Sequence, residues 1–246
     1  MSQNMRDATL NRREFLKKGT ALTAGAAVLT GLGSHGVFAA EDNTIRLALI
    51  GCGGRGSGAV GDALSVVDEG PVKLWAMADL DKDRMAKSHG ALKEKFGDQV
   101  DVPEDRQFVG FDAYKKAIDI LRPGDVAMCT TRPYIRPVHV EYAVKKGINV
   151  FMEKSFASDI GGVKRMLRAG EEAERKGVKV LAGLQCRHSP ARAALIEKMR
   201  AGEMGDIITI RANRWGGAGW LKPNPPGANE LMGQLTFGRI ALLWIG

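Results

Sequence analysis

The chain has 246 residues, of which 44% are hydrophobic and 26% are charged, a composition that favours a globular fold over a disordered chain. The net charge of the whole chain is +8. Outside the first 40 residues the basic side chains are spread along the chain, and no basic block is interleaved with aromatic side chains. No nucleic-acid-binding surface is therefore predicted. The three cysteines are odd in number and lack CxxC spacing, which argues against a disulfide framework and against a zinc site, so no metal is expected.

The first 40 residues follow the order of a signal peptide. Paired arginines in NRREFLK precede a weakly apolar stretch at residues 20–32, and the small residues Ala39 and Ala40 follow. The alternative interpretations are a short amphipathic helix and a membrane anchor, but the apolar stretch is too short and too rich in glycine to form a stable membrane span. The arginine pair resembles the twin-arginine signal, which predicts a periplasmic or exported protein whose mature fold begins near Asn43.

From residue 44 onward, short apolar runs alternate with amphipathic stretches, the pattern of β-α-β units in a parallel sheet. The predicted strands lie at residues 45–50, 72–78, 126–129, 148–152 and 178–182. The predicted helices lie at residues 57–67, 84–96, 113–121, 137–146 and 160–176. The sequence therefore predicts a doubly wound α/β domain over residues 43–183.

A second unit is predicted over residues 184–246. It holds a helix at residues 190–200 and a strand at residues 206–214, followed by a Gly- and Pro-rich stretch and the apolar tail LTFGRIALLWIG. One strand and a loop cannot bury a sheet face, because an independent sheet needs several strands or a packed partner layer. We therefore expect the start of an incomplete α/β domain, in a chain that is truncated.

The stretch IGCGGRGSG follows the first predicted strand and opens the first predicted helix. Gly51, Gly53 and Gly56 fit the GxGxxG pattern, in which backbone N–H groups and the helix dipole face a pyrophosphate. Gly51 would form the bend, Gly53 would permit close approach and Gly56 would permit helix packing. Gly54 lies in the same loop, and Arg55 either contacts a phosphate or faces solvent. The pattern alone also fits a turn whose glycines serve only packing.

A carboxylate at the end of the second predicted strand strengthens the dinucleotide interpretation. Asp79 follows Gly51 by 28 residues, and a carboxylate at that place can accept hydrogen bonds from both ribose hydroxyls of NAD. The same charge would repel the 2′-phosphate of NADP, and no arginine follows at Leu80 or Asp81. The sequence therefore predicts NAD as the cofactor, with NADP less favoured.

With that loop, Asp79 and the stretch GINVFMEKSFA, residues 44–214 resemble the Gfo/Idh/MocA family of NAD(P)-dependent oxidoreductases. The resemblance implies a Rossmann domain followed by an α/β domain whose large open sheet usually forms the interface of a homo-oligomer. It also implies a sugar or polyol substrate, such as an inositol, with hydride passing between the carbon of a hydroxyl group and NAD.

The resemblance assigns the chemistry to Lys154. In the family the matching lysine bonds the substrate hydroxyl and the cofactor ribose, and a nearby nicotinamide cation can lower its pKa so that it helps the hydroxyl lose a proton. Glu153 matches the preceding glutamate, and Ser155 stands where the family usually has proline, which would fix the backbone beside the lysine. Without the family match, Lys154 would be interpreted as a solvated loop lysine.

The segment TTRPYIRPVH is expected to line the nicotinamide, because ligands bind beyond the carboxyl ends of parallel strands. The cofactor-binding positions there are Thr130, Thr131 and Pro133, with His139 matched to a family histidine. The segment is more basic than the family's usual loop. Its arginines either suit an anionic or sugar-acid ligand or are solvated charge.

Gln185, Arg187 and His188 match a family segment at the domain junction, where they either bind substrate hydroxyls or form a hinge held by hydrogen bonds. The family's second domain usually supplies a further histidine for proton transfer, and none follows His188. Two alternatives to the dehydrogenase are an NAD-dependent glycoside hydrolase that acts by oxidation and elimination and an inactive NAD-binding fragment. The Glu153-Lys154 pair favours the dehydrogenase.

Overall fold

The computed structural model describes residues 43–66, 70–211, 213 and 227. The chain divides into two compact units, Met1–Asp42 and Asn43–Gly246, and the described residues all belong to the second. The predicted signal peptide and the apolar tail lie outside the described residues. Within the described ranges, no helix combines the length and the apolar character that crossing a bilayer requires.

In the described part of the chain, six parallel strands form one sheet, in the order β3-β2-β1-β4-β5-β6. The strands are β1 (Ile45–Ile50), β2 (Val72–Asp79), β3 (Gln107–Val109), β4 (Val126–Cys129), β5 (Asn149–Met152) and β6 (Val180–Ala182). The chain runs outward from β1 to β3 and then crosses to the other side of β1 for β4. The strand order reverses there, which in a doubly wound sheet leaves a crevice for ligands. This topology confirms the predicted Rossmann-like α/β fold.

Helices connect the strands, and local sequence sets several of their ends. The helices are α1 (Gly54–Leu64), α2 (Lys82–Phe96), α3 (Ala113–Asp119), α4 (Arg136–Lys145), α5 (Ile160–Lys176) and α6 (Pro190–Arg200), with short 3-10 helices at Gly97–Gln99 and Glu104–Arg106. Asp81 caps α2 by accepting a hydrogen bond from the backbone N–H of Arg84 at 3.0 Å. Gly177 ends α5 in the left-handed conformation, with φ of 69°, which glycine adopts at low cost.

Both faces of the sheet are buried. Leu47, Ala48, Leu49 and Ile50 are each 4% exposed or less, so the last four residues of β1 form a continuous apolar run, as expected for a central parallel strand. Leu47 and Leu49 pack with side chains of α1 and α2, whereas Ala48 and Ile50 pack with side chains of α3, α4 and α5. The sheet is therefore the middle layer of three.

The helix and strand bounds differ from the predicted ones by three residues or fewer. The largest difference is at α1, which begins at Gly54 because the N–H of Ser57 already bonds the carbonyl of Gly53 at 2.9 Å. The short edge strand β3 was not predicted, since three residues give no recognisable period.

The predicted strand at residues 206–214 is wrong for the described residues in it, 206–211 and 213, because none of them lies in a strand. A strand requires a partner for its backbone hydrogen bonds, and no described strand pairs with these residues.

Candidate functional site

The strand register places several functional residues at one edge of the sheet. Ile50 is level with Ala78 of β2 and with Cys129 of β4, and Cys129 is level with Met152 of β5. The residue that follows each of these four positions therefore lies at the same carboxyl edge of the sheet. These residues are Gly51, Asp79, Thr130 and Glu153. Residues that are far apart in sequence are thus brought together by pairing alone.

A cleft of about 520 Å³ opens at this edge. Its lining includes most of the cofactor-binding residues predicted from the sequence, namely Gly51, Gly53, Gly54, Arg55, Gly56, Asp79, Thr130, Thr131, Pro133, Glu153 and Lys154. Its lining also includes Arg84, which no motif singled out, and Arg136, which belongs to the segment TTRPYIRPVH. Among the described residues, no group of three or more potential metal ligands is found.

The glycines of the loop differ in what surrounds them. Gly51 has φ of +96°, and a Cβ there would lie 2.9 Å from the backbone nitrogen of Thr131. A Cβ on Gly56 would lie 2.3 Å from the carbonyl oxygen of Gly51, so the bend and the helix approach each other too closely for a side chain. A Cβ on Gly53 or Gly54 would meet no atom within 4 Å. These two glycines therefore border open space in the cleft.

The N-terminus of α1 lies at this open space. Gly53 is its N-cap residue and supplies no side-chain hydrogen bond, and the first turn of the helix carries no acidic residue. The N–H groups of the first turn have no acceptor within the helix. The site therefore presents backbone donors and the positive end of a helix dipole, which together suit a phosphate group.

Asp79 joins the glycine loop to the end of β2. Its carboxylate accepts hydrogen bonds from the N–H of Cys52 at 2.6 Å and from the N–H of Asp81 at 3.0 Å. The guanidinium of Arg84 lies 3.6 Å from the same carboxylate and 3.3 Å from that of Asp81. NAD was predicted over NADP because no arginine stands at residues 80 and 81. Arg84, in the first turn of α2, nevertheless places a positive charge beside Asp79.

Glu153 and Arg55 form an ion pair across the cleft. The Nε of Arg55 donates to Oε1 of Glu153 at 2.7 Å, and this hydrogen bond is the main cause of the raised pKa of Arg55. Glu153 is buried, whereas the Arg55 side chain is about half exposed. Arg55 is therefore paired with a buried carboxylate rather than only solvated, and its contact with a phosphate stays a prediction. Lys154, the next residue, is exposed in the cleft.

Arg136 is only 2% exposed, and its guanidinium is bonded to backbone carbonyls. Nη1 donates to the carbonyls of Glu153, at 2.5 Å, and of Ser155, and Nη2 donates to the carbonyl of Thr131. Its Nε has no acceptor among the described residues, and burial lowers its pKa. The interpretation of this basic segment as solvated charge is therefore wrong for Arg136, because the side chain reaches inward. Arg132 is exposed.

His139 is buried on α4 beside the cleft. Its Nδ1 lies 3.0 Å from the hydroxyl of Thr131, and its ring centroid lies 4.3 Å from that of Tyr114. Burial, with the nearby charge of Arg136, lowers the pKa of His139 to about 4, so the ring is neutral near pH 7. It lines a separate cavity of about 60 Å³ that also contacts Asp79 and Thr131. It is thus placed to orient Thr131.

The predicted substrate residues at the domain junction do not line the cleft. Gln185, Arg187 and His188 follow β6 in an exposed turn, where the N–H of His188 bonds the carbonyl of Gln185 at 3.2 Å. Their role in substrate binding stays a prediction.

Solved structures that resemble this chain include three oxidoreductases. A myo-inositol 2-dehydrogenase from Lactobacillus plantarum is 23% identical with a TM-score of 0.54, over 67% of this chain and 43% of that one. A scyllo-inositol dehydrogenase from Lactobacillus casei, with bound NAD(H) and scyllo-inositol, is 16% identical with a TM-score of 0.53, over 66% and 43%. An aldose-aldose oxidoreductase from Caulobacter crescentus, complexed with glycerol, is 18% identical with a TM-score of 0.50, over 66% and 44%.

No protein-family model matches the sequence, and no curated protein matches it. The chain spans less than half the length of the three solved structures. At these identities the likeness concerns the fold: the chain has the Rossmann-like α/β fold that is found in these three oxidoreductases.

Proposed function

We propose that the chain binds NAD in the cleft and belongs to a Gfo/Idh/MocA-type oxidoreductase that transfers hydride between a sugar or polyol hydroxyl and the nicotinamide. The observation that carries this proposal is the meeting of the glycine loop, Asp79 and Lys154 in one cleft at the point where the strand order reverses.

The residues of the cleft fit the parts of a dinucleotide. The open space at Gly53 and Gly54 and the free N–H groups of α1 suit the pyrophosphate. Asp79 ends β2 where the adenosine ribose is held in this fold. Thr130 and Thr131 follow β4 and would border the nicotinamide. When bound, NAD would supply the hydride acceptor.

Lys154 supplies the amine that accepts the proton of the substrate hydroxyl. Its exposed amine lies in the cleft, at the end of β5 and next to the buried Glu153. An amine at that place can hold a hydrogen bond to a substrate hydroxyl and, in its neutral form, accept the proton of that hydroxyl.

The sugar or polyol class is supported by the structural neighbours. The Lactobacillus casei dehydrogenase holds NAD(H) and scyllo-inositol, and the Caulobacter crescentus oxidoreductase holds glycerol. Because the reported neighbours are oxidoreductases, the dehydrogenase is preferred over the glycoside hydrolase. Export through the twin-arginine route is part of the proposal and is supported by NRREFLK.

The test is a panel of inositols, aldoses and sugar acids incubated with NAD. NADH accumulation is expected on at least one of them, and release of an aglycone without net NADH would instead indicate the hydrolase. Lys154→Ala should keep NADH affinity within about threefold and lower kcat by about 100-fold or more, the range for losing a general base. Lys164→Ala, which removes an exposed lysine of α5 outside the cleft lining, is the matched control. Unchanged turnover in Lys154→Ala would remove the lysine from the mechanism.

A further inference from the structure

Arg136 connects two loops that border the cleft. It is the first residue of α4, so a packed helix holds the base of its side chain. From there Nη2 reaches the carbonyl of Thr131 in the loop after β4, and Nη1 reaches the carbonyls of Glu153 and Ser155 in the loop after β5. The two carbonyls bonded by Nη1 belong to the residues on either side of Lys154.

The chemistry of the contacts indicates a backbone restraint. A guanidinium carries its donors in a rigid planar fork, whereas a lysine amine is a single point of charge on a flexible stem. The hydrogen bonds that the structure shows for Arg136 all go to backbone carbonyls, and the Glu153 carboxylate is bonded by Arg55 instead. Burial of a charged group is costly unless its donors are used. Here two of its nitrogens are used to hold loop backbone.

We propose that Arg136 is a positioning residue for Lys154: by bonding the carbonyls on both sides of the lysine, it fixes the backbone from which the amine enters the cleft. Ser155 stands where the Gfo/Idh/MocA family usually has proline, whose ring would restrict this backbone. Arg136 supplies the restraint from outside the loop. This inference rests on the proposed function for its effect on turnover, but its effect on the loop does not.

The test compares Arg136→Met with Arg136→Lys and with Arg122→Met. Arg122 also bonds a backbone carbonyl, that of Thr44 at 2.8 Å, but at the opposite edge of the sheet, before β1 begins. Hydrogen exchange is measured on peptides that cover residues 130–134 and 153–157. Arg136→Met should speed exchange there by about tenfold or more, because the loops open without their restraint. Arg136→Lys should have a smaller effect, and Arg122→Met should leave both peptides unchanged.

Turnover on the substrate identified from the panel gives the second readout. Arg136→Met should lower kcat by about tenfold or more with NADH affinity nearly unchanged, since misplacing a reacting group costs rate more than binding. In a Lys154→Ala background the same change should have little further effect on kcat. Ser155→Pro should recover part of the turnover that Arg136→Met loses.

Unchanged exchange at residues 153–157 in folded Arg136→Met would overturn the inference, as would an equal loss of kcat with and without Lys154. Should Arg136→Met fail to fold, Arg136→Lys carries the same two readouts. If the parent protein oxidises no sugar, the proposed function fails, and the exchange measurement still decides whether Arg136 restrains the lysine loop.

Discussion

The substitution of glycine by alanine is predicted to have different outcomes at two positions of the glycine loop and at one position of α2. In Gly56→Ala the new Cβ would lie 2.3 Å from the carbonyl oxygen of Gly51 and 2.6 Å from the hydroxyl of Thr130. The first neighbour is backbone, so α1 has to move away from the sheet. Overpacking of this kind costs about 1–3 kcal/mol, or roughly 3–10 °C in Tm for a domain of this size.

Gly53→Ala and Gly90→Ala separate ligand contact from packing. Neither Cβ would meet an atom within 4 Å. Gly90 lies inside α2 and is exposed, so alanine there should stabilise the protein by about 0.5–1 kcal/mol. Gly53→Ala should cost no more than about 1 kcal/mol, through a poorer N-cap. It should nevertheless weaken NADH binding by about tenfold or more, because the methyl group occupies the space proposed for the pyrophosphate.

The assay is thermal unfolding of the three variants and the parent, followed by NADH titration monitored by fluorescence. Gly56→Ala with a Tm equal to that of Gly90→Ala would refute the packing argument. Gly53→Ala that binds NADH as tightly as the parent would refute the placement of the pyrophosphate.

Three further predictions concern other parts of the chain. Asp79→Ala should weaken NADH binding far more than NADPH binding, and Arg84→Ala should weaken NADPH binding more, as separate titrations would show; equal effects on both cofactors would contradict these roles. Burial lowers the pKa of His139 to about 4, so between about pH 6.5 and pH 4 this histidine is protonated in the unfolded state but not in the folded state. The free energy of unfolding should therefore fall by roughly 3 kcal/mol over this pH range. Urea unfolding of His139→Gln should show a weaker pH dependence, and an unchanged one would refute this. Arg12→Lys combined with Arg13→Lys should keep the protein in the cytoplasm, as cell fractionation would show, whereas continued export would contradict the twin-arginine assignment.

The sheet was largely predictable because its central strands are buried on both faces. β1 and β4 have the bounds that the sequence predicted, because residues 47–50 of β1 and all of β4 are apolar, as a strand segment that is covered on both sides must be. β3 was missed because an edge strand of three residues carries no period. The strand at residues 206–214 was predicted from alternating apolar and polar residues, but the described residues of this segment pair with no described strand.

The cleft was predictable where a short motif carries the geometry. The glycine spacing and Asp79 are local patterns tied to strand ends, and the strand register brings them together. The contacts of Arg84 and Arg136 could not be predicted in this way. Their side chains extend into the cleft from the first turns of helices, and no sequence motif predicts such contacts. The domain boundaries, the homo-oligomer and the truncation stay predictions, as do the substrate roles of Gln185, Arg187 and His188.

Hydrogen exchange of the parent protein with and without saturating NADH tests the central claim most directly. The cleft predicts slower exchange in peptides that cover residues 51–57, 79–84 and 130–134, which carry the glycine loop, the Asp79 strand end and the β4 loop. Binding without protection at these residues, or protection confined to another part of the chain, would contradict the assignment of the cleft as the cofactor site.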